Sequence, residues 1–545
     1  MDEVKRLLVV GVALLLGCLP IVALEGILRH LRPPGASLQL KLPEDVPTNT
    51  TEPRALVINA AQPWLAQPGP DGTTRWSTNP QLTAGSPATM QPISFVMPRP
   101  PKTVRIFVVG GSEVYGIPVF AEPAYTYPGQ LQNLLSQAFP DTPFEVLNAG
   151  VVGQSTREML GVVQRVAEFQ PQVIVFTGGG VDLRTWVDIL ISSNPQLFAL
   201  QEKASSLATF QLLRDLYHRI RPLPPPAPVD KPREEMAATQ EGLRRIVERE
   251  WQAAGHPLLD WPEGEGHGTP IRRDSVVEEV GQIYGERMAA MKKAADAVGA
   301  LFVVAVPVVS PDLPAQISLY DPRMDAAARA QVEQKRGKVW ELLRHGQVAE
   351  ASRFFEEIQE YGQVHADISY LEFQIRAAMG PADQAWVALQ RAGALDLSTD
   401  HIPYQYREQA RELCQGGNCL CVDVYPHIFK EAGTALWGKE FFFSPGHMSA
   451  RGYELFARVV AEGLIPRLEK DLGPATPGWQ SFRGLLDFDR FPSKMFMDGP
   501  GGPPPVGMVV PPHHQGANPP PPGPPGLGPP PGPPPPAPPE PQPGR

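Results

Sequence analysis

At 545 residues the chain exceeds one ordinary domain and can bury a full α/β core. A formal charge of −10, with its basic residues scattered, argues against the basic stripe a nucleic-acid binder needs. The 66 prolines stand far above an average usage of roughly 5% and are clustered, so part of the chain is extended rather than packed.

Leu7 to Leu24 is an uncharged apolar run. As a helix it covers roughly 27 Å, close to a hydrocarbon core of about 30 Å. No clear small-residue cleavage site follows it, and Leu15-Leu16-Gly17-Cys18 lacks the polar continuation of a lipoprotein box. The expectation is a single-pass membrane anchor over residues 7–28. Charge does not orient it, because Asp2 and Glu3 offset Lys5 and Arg6 while Arg29 and Arg32 lie beyond. An extracytoplasmic body, periplasmic or at the cell surface, is expected by analogy with tethered domains. Residues 33–101 are rich in Pro, Thr, Ser and Gly and read as a spacer, with room for an edge element of the body.

The signal then changes. Val104–Val109 is a short β-branched run that enters Gly110-Gly111-Ser112 and reads as a buried strand. Phe144–Leu147 is a second, ending at Asn148-Ala149-Gly150, and Gln172–Phe176 a third, ending at Thr177-Gly178-Gly179-Gly180. Helical spacing over Tyr127–Ala138 and Ser155–Phe169 separates them. Strands alternating with helices imply βαβ units and a parallel, doubly wound sheet. Residues 183–299 read as a helical insertion, broken by the proline run Pro222–Pro228. Leu301–Val309 resumes the sheet, within a core segment over 300–324.

A helical stretch follows over 325–397. Gly346 and Gly380, Ala351 and Ala385, and Phe355 and Leu389 each stand 34 residues apart, the tetratricopeptide (TPR) period. Two degenerate repeats do not make a solenoid, so a TPR-like insertion docked on the sheet is expected, with accidental spacing as the alternative. The last part of the body spans 398–470, with a fifth strand at Leu420–Val424 and a helix over about Ser449–Leu464. Of the four cysteines, Cys414, Cys419 and Cys421 crowd one short stretch. A Cys414–Cys419 disulfide and free thiols both remain open there. Three thiols without a fourth ligand make a poor zinc site. Residues 495–545 are almost all Pro and Gly and cannot bury a core, so they read as a disordered, polyproline-II-like tail.

The strand ends and the C-terminal histidine together resemble the SGNH (GDSL-type) hydrolases, over roughly Lys102–Val181, Leu301–Pro307 and Leu420–Leu464. The first block reads Gly110-Gly111-Ser112-Glu113, the second Asn148-Ala149-Gly150-Val151-Val152-Gly153, and the last Ser444-Pro445-Gly446-His447. The resemblance implies a flavodoxin-like α/β/α sheet with helical insertions. It makes Ser112 the nucleophile and His447 its general base, with the backbone N–H groups of Ser112 and Gly153 as oxyanion donors. No metal or organic cofactor is called for. Two family positions are degenerate: Gly180 stands where an asparagine supplies a third donor, and Ser444 where an aspartate orients the histidine. Losing a donor costs roughly 10²–10³ in kcat and losing the acid on the order of 10⁴. Rescue by the Ser444 hydroxyl, or by Asp182 or Asp423, is one expectation; for Asp182 a helix cap is the competing one.

Two functions follow. One is a membrane-anchored serine esterase acting on a small acyl ester, or an O-acyltransferase of surface polysaccharide. The other is an inactive binding or assembly module, with a protein partner on the TPR-like insertion or the Pro-rich tail.

Overall fold

The computed structural model describes residues 63–481, apart from 70–71, 83–89, 193–232, 262–269, 311–313, 381, 399–400, 433–437 and 445. The expected anchor at 7–28 and the tail at 495–545 lie outside them. Among the described residues no helix is long and apolar enough to cross a membrane.

The chain opens with three short strands, β1 (Trp64–Pro68), β2 (Thr74–Thr78) and β3 (Ser94–Met97), paired antiparallel in that order. Five further strands form the main sheet: β4 (Val104–Gly110), β5 (Phe144–Gly150), β6 (Val173–Thr177), β9 (Leu301–Ala305) and β10 (Cys419–Val422). Between β6 and β9 comes a two-residue pair, β7 (Leu259–Asp260) with β8 (Ile271–Arg272). The main sheet runs β10-β9-β6-β4-β5 and is parallel throughout. That order turns back on itself at β4, so the crevice at the carboxyl ends of β4 and β6 is the switch point where such sheets place their sites.

Helices connect the strands. In chain order they are α1 (Ser112–Tyr115), α2 (Tyr127–Ala138), α3 (Thr156–Ala167), α4 (Asp182–Ser192), α5 (Arg233–Ala254) and α6 (Ser275–Asp296). They continue with α7 (Ala326–Arg344), α8 (Val348–Glu356), α9 (Ala366–Met379), α10 (Ala382–Leu395) and α11 (Gln405–Leu413). Before the last long helix, α13 (Ala450–Leu472), lie α12 (Tyr425–Ala432) and a single helical turn at Gly438–Phe441. Local chemistry sets the starts: Thr126 caps α2 by accepting from the Gly129 N–H at 3.3 Å, and a Ser155–Glu158 capping box opens α3. Helix α13 continues past the expected Leu464, through Pro466, to Leu472.

The period-2 alternation of a strand divides the core into two layers. Phe107 and Val109 of β4 pack with α3, α4 and α6, whereas Ile106 and Val108 pack with α2 and α13. Both faces are covered, which explains why these strands read as largely apolar runs, interrupted only by single residues such as Arg105 and Glu145.

Two expected boundaries change. The spacer of 33–101 is part of the body from Trp64 onward, because Trp64 and Phe95 join Phe107 and Phe169 in an edge-on aromatic cluster. Buried Arg105 clamps this small sheet to the large one, donating to Val96 O at 2.8 Å and Phe169 O at 3.0 Å while pairing with Glu145. The insertion of 183–299 is likewise not all insertion. Its last helix, α6, makes the crossover from β6 to β9 and buries Val280, Met288, Met291 and Ala295 in the main core.

Helices α7 to α10 build a separate apolar cluster around Trp340, Leu371 and Leu389. Gly346 lies between α7 and α8, Gly380 between α9 and α10, and Ala351 and Ala385 are both fully buried. The residues spaced 34 apart therefore hold equivalent places in two helical hairpins. Cys414 at the end of α11 and Cys419 at the start of β10 form a disulfide, and Cys421 is free.

Candidate active site

The first three strands end level. In the sheet register Gly110 of β4 lies beside both Gly150 of β5 and Thr177 of β6. The loops carrying Ser112, Gly153 and Gly180 therefore leave the same edge of the sheet within two or three residues. Gly110 is forced to be glycine, since a Cβ there would sit 2.0 Å from Thr177 O and 2.3 Å from the Val114 side chain. Asn148 fixes the turn from below, donating from Nδ2 to Val114 O at 2.8 Å and accepting from the Gly150 N–H at 3.0 Å. Gln91, which the sequence reading left in the spacer, donates to Tyr115 O at 3.0 Å and Phe120 O at 2.9 Å. Its only sequence signal was a polar residue beside an apolar strand.

The histidine arrives from the far end of the chain. Strands β11 (Phe442–Ser444) and β12 (His447–Met448) form a tight antiparallel pair in which Ser444 faces His447. His447 Nε2 lies 2.8 Å from Ser112 Oγ, and His447 Nδ1 lies 2.7 Å from Ser444 Oγ. Burial holds the imidazole below its ordinary pKa of 6.5, favouring the neutral ring. Helix α13, capped by Ser449, follows directly and is anchored to the nucleophile side by Tyr453 Oη, which donates to Ile117 O at 2.7 Å.

Gly153 adopts a φ of +72°, a conformation that favours glycine. Neither its N–H nor that of Ser112 donates to an acceptor among the described residues, which leaves both free for a ligand. Gly180 is exposed, its backbone is outside the left-handed region, and nothing lies within 4 Å of where its Cβ would be. The two carboxylates expected as rescuers do not reach the imidazole. Asp423 accepts from Arg411 at 3.3 Å and from the Tyr425 N–H at 3.1 Å. Asp182 begins α4, but its side chain accepts from the N–H and hydroxyl of Thr156 at the start of α3 and from Arg287. Burial raises the Asp182 carboxyl to about 6 against the pull of Arg287 and Thr156.

Residues 108–277 match the sequence model of the GDSL-like lipase/acylhydrolase family. Over that stretch, which is under half of the chain, the sequence is similar to that family. The match ends at Val277, inside α6, so β9 and β10 of the main sheet and the histidine hairpin lie beyond it. That likeness supports a hydrolase acting on ester bonds. No curated protein matches the chain.

One acid beside Ser112 was missed from sequence. The Glu113 carboxylate folds back to accept the Gly111 N–H at 2.9 Å. A Cβ on Gly111 would lie 2.7 Å from Glu113 Oε2, so this carboxylate fills the room that the aspartate of a Gly-Asp-Ser block would need. Burial pushes Glu113 up to about 7, its hydrogen bonds to backbone N–H groups oppose that, and the charge of Asp182 adds to it. As a whole residue Glu113 is only half-buried, and its carboxylate is the end that turns in against Gly111. The signal was available as Gly-Gly-Ser-Glu, an acid moved two places along. Among the described residues no group of three or more His, Cys, Asp or Glu is placed to hold a metal ion.

Proposed function

We propose that the chain is a serine esterase in which Ser112 attacks an acyl ester, His447 takes its proton and Ser444 replaces the triad carboxylate. The observation that carries this is the unbroken file Ser444 Oγ–His447 Nδ1, His447 Nε2–Ser112 Oγ, at 2.7 and 2.8 Å. In the productive tautomer Nδ1–H donates to Ser444 Oγ, which leaves Nε2 to accept from the Ser112 hydroxyl. The carbonyl oxygen becomes an oxyanion facing the N–H groups of Ser112 and Gly153. The C–O bond of the ester then breaks, and the leaving alcohol takes the proton from His447. Water, deprotonated by His447, releases the acid from acyl-Ser112; a sugar hydroxyl in place of water would make the same intermediate an acyl donor.

A hydroxyl orients the imidazole but brings no negative charge to an imidazolium. The Ser112 file therefore has correct geometry with weakened electrostatics, and small activated esters are the substrates it suits. The apolar run Leu7–Leu24 supports a membrane-tethered body, and the Cys414–Cys419 disulfide supports an extracytoplasmic one, because disulfides persist in oxidising compartments. The departures at Gly180 and Ser444 favour a second reading, an inactive binding module. A fluorophosphonate probe decides between them: labelling of wild type and not of Ser112→Ala is expected, and an unlabelled wild type leaves only the binding module.

A further inference from the structure

Asp182 is outside the Ser112–His447 file, yet its carboxylate is where three elements meet. Oδ1 accepts from Thr156 Oγ1 at 2.7 Å and from Arg287 Nη1 of α6 at 3.0 Å, and the Thr156 N–H faces both oxygens at 3.2 Å. The same guanidinium nitrogen also donates to Thr156 Oγ1 at 3.0 Å. The Asp182 N–H donates to Gly179 O at 3.0 Å. A single residue thus ties the loop after β6 to the first turn of α3, three residues beyond Gly153.

Capping alone does not account for this. Helix α3 already has Ser155 as its cap, with Glu158 accepting from the Ser155 N–H at 3.0 Å. A second carboxylate at the same helix start is redundant for the helix and costly to bury, with a side chain only 3% exposed. What it adds is a fixed distance between two loops that leave neighbouring strands. Arg287 balances its charge, so that the clamp does not set an unpaired negative charge beneath an oxyanion.

We infer that Asp182 is a positioning residue for the oxyanion site, which with Arg287 and Thr156 holds the Gly153 N–H in register with that of Ser112. The inference rests on the esterase reading. It gives a physical reason for the carboxylate so close to Gly180: with no asparagine donor there, the two backbone donors carry the whole oxyanion and their spacing matters more.

The test compares 4-nitrophenyl acetate with its thiono analogue, in which sulfur replaces the carbonyl oxygen and accepts hydrogen bonds poorly. Wild type, Asp182→Asn and Thr156→Val are measured with the melting temperature of each. The expected result is a kcat on the oxygen ester about tenfold lower in both variants with KM within about twofold, and an oxygen-to-thiono rate ratio lowered by a similar factor. A merely structural role slows both esters alike. If the ratio in folded, active variants stays at the wild-type value, the inference is overturned by itself. Wild type without Ser112-dependent turnover overturns the esterase reading and this inference together. Thr156→Val removes one arm of the clamp and keeps the side-chain shape, so it decides the matter if Asp182→Asn does not fold.

Discussion

The two halves of the site are built differently. On the nucleophile side, Ser112 and Gly153 stand on strand ends locked by close backbone approach at Gly110, by Asn148 and by Gln91. On the other side, Gly180 is exposed with open space around it, and Ser444 is half-buried in a two-strand hairpin. The family pattern holds where the fold would break without it, and it departs where a side chain can change without disturbing packing. Position therefore survives better than charge. The hydrogen-bonded file from Ser444 through His447 to Ser112 is in place, while the two side chains that the family pattern puts at Gly180 and Ser444 to stabilise charge are absent.

This contrast can be broken most strongly at its hinge. His447→Gln removes the base and leaves the nucleophile turn untouched; a loss of at least about 10³ in kcat/KM on 4-nitrophenyl acetate is expected, with little change in melting temperature. Next comes restoration of charge. Ser444→Asp is expected to raise kcat by tenfold or more, since a carboxylate at Nδ1 stabilises the imidazolium. It also raises the imidazole pKa, so the acid limb of the pH–rate profile moves upward from its wild-type place below 6.5. A variant without either change would show that Ser444 already does all that the position can do. Gly180→Asn is a smaller step. The open space and ordinary backbone accept the side chain, and a third donor is expected to raise kcat by roughly tenfold while leaving KM nearly unchanged.

What the sequence revealed divides along the same line. The five parallel strands were legible because burial leaves short, mostly apolar runs that end in glycine or polar turns, and the meeting of Ser112 with His447 because each follows a strand end or precedes a capped helix. The small sheet at 64–97 was hidden by its prolines and glycines, although Thr-Arg-Trp-Ser-Thr alternates as a strand should. Helix α6 was hidden by distance, because an insertion of unusual length separates it from β6. The hydrogen bond between Ser444 and His447 could be imagined from a three-residue spacing but not placed. Asp182 was expected near the imidazole or as the cap of its own helix; it instead binds the start of a helix 26 residues earlier in the chain, a partner that only the sheet order brings near.

The smallest effect expected is also the one that tests the nucleophile side on its own terms. In the unfolded chain Glu113 ionises near 4.5, and in the folded protein near about 7. The folded state therefore holds a proton that the unfolded state has released. The stability this gives is fully present below about pH 4.5 and is lost as the pH rises through about 7. Glu113→Gln stays neutral, so relative to the variant the wild-type melting temperature should fall between those limits, by a few degrees for a shift on the order of 1–3 kcal/mol. The same ionisation sets a negative charge against the Gly111 N–H, one residue before Ser112, where it would oppose the negative charge of an oxyanion. Above pH 7 the variant should accordingly keep esterase activity that wild type loses, while the acid limb, which belongs to His447, does not move. Parallel pH curves for the two proteins, in melting and in rate, would show that the Glu113 carboxylate is better solvated than its enclosure suggests and that Gly111 is held by the loop alone.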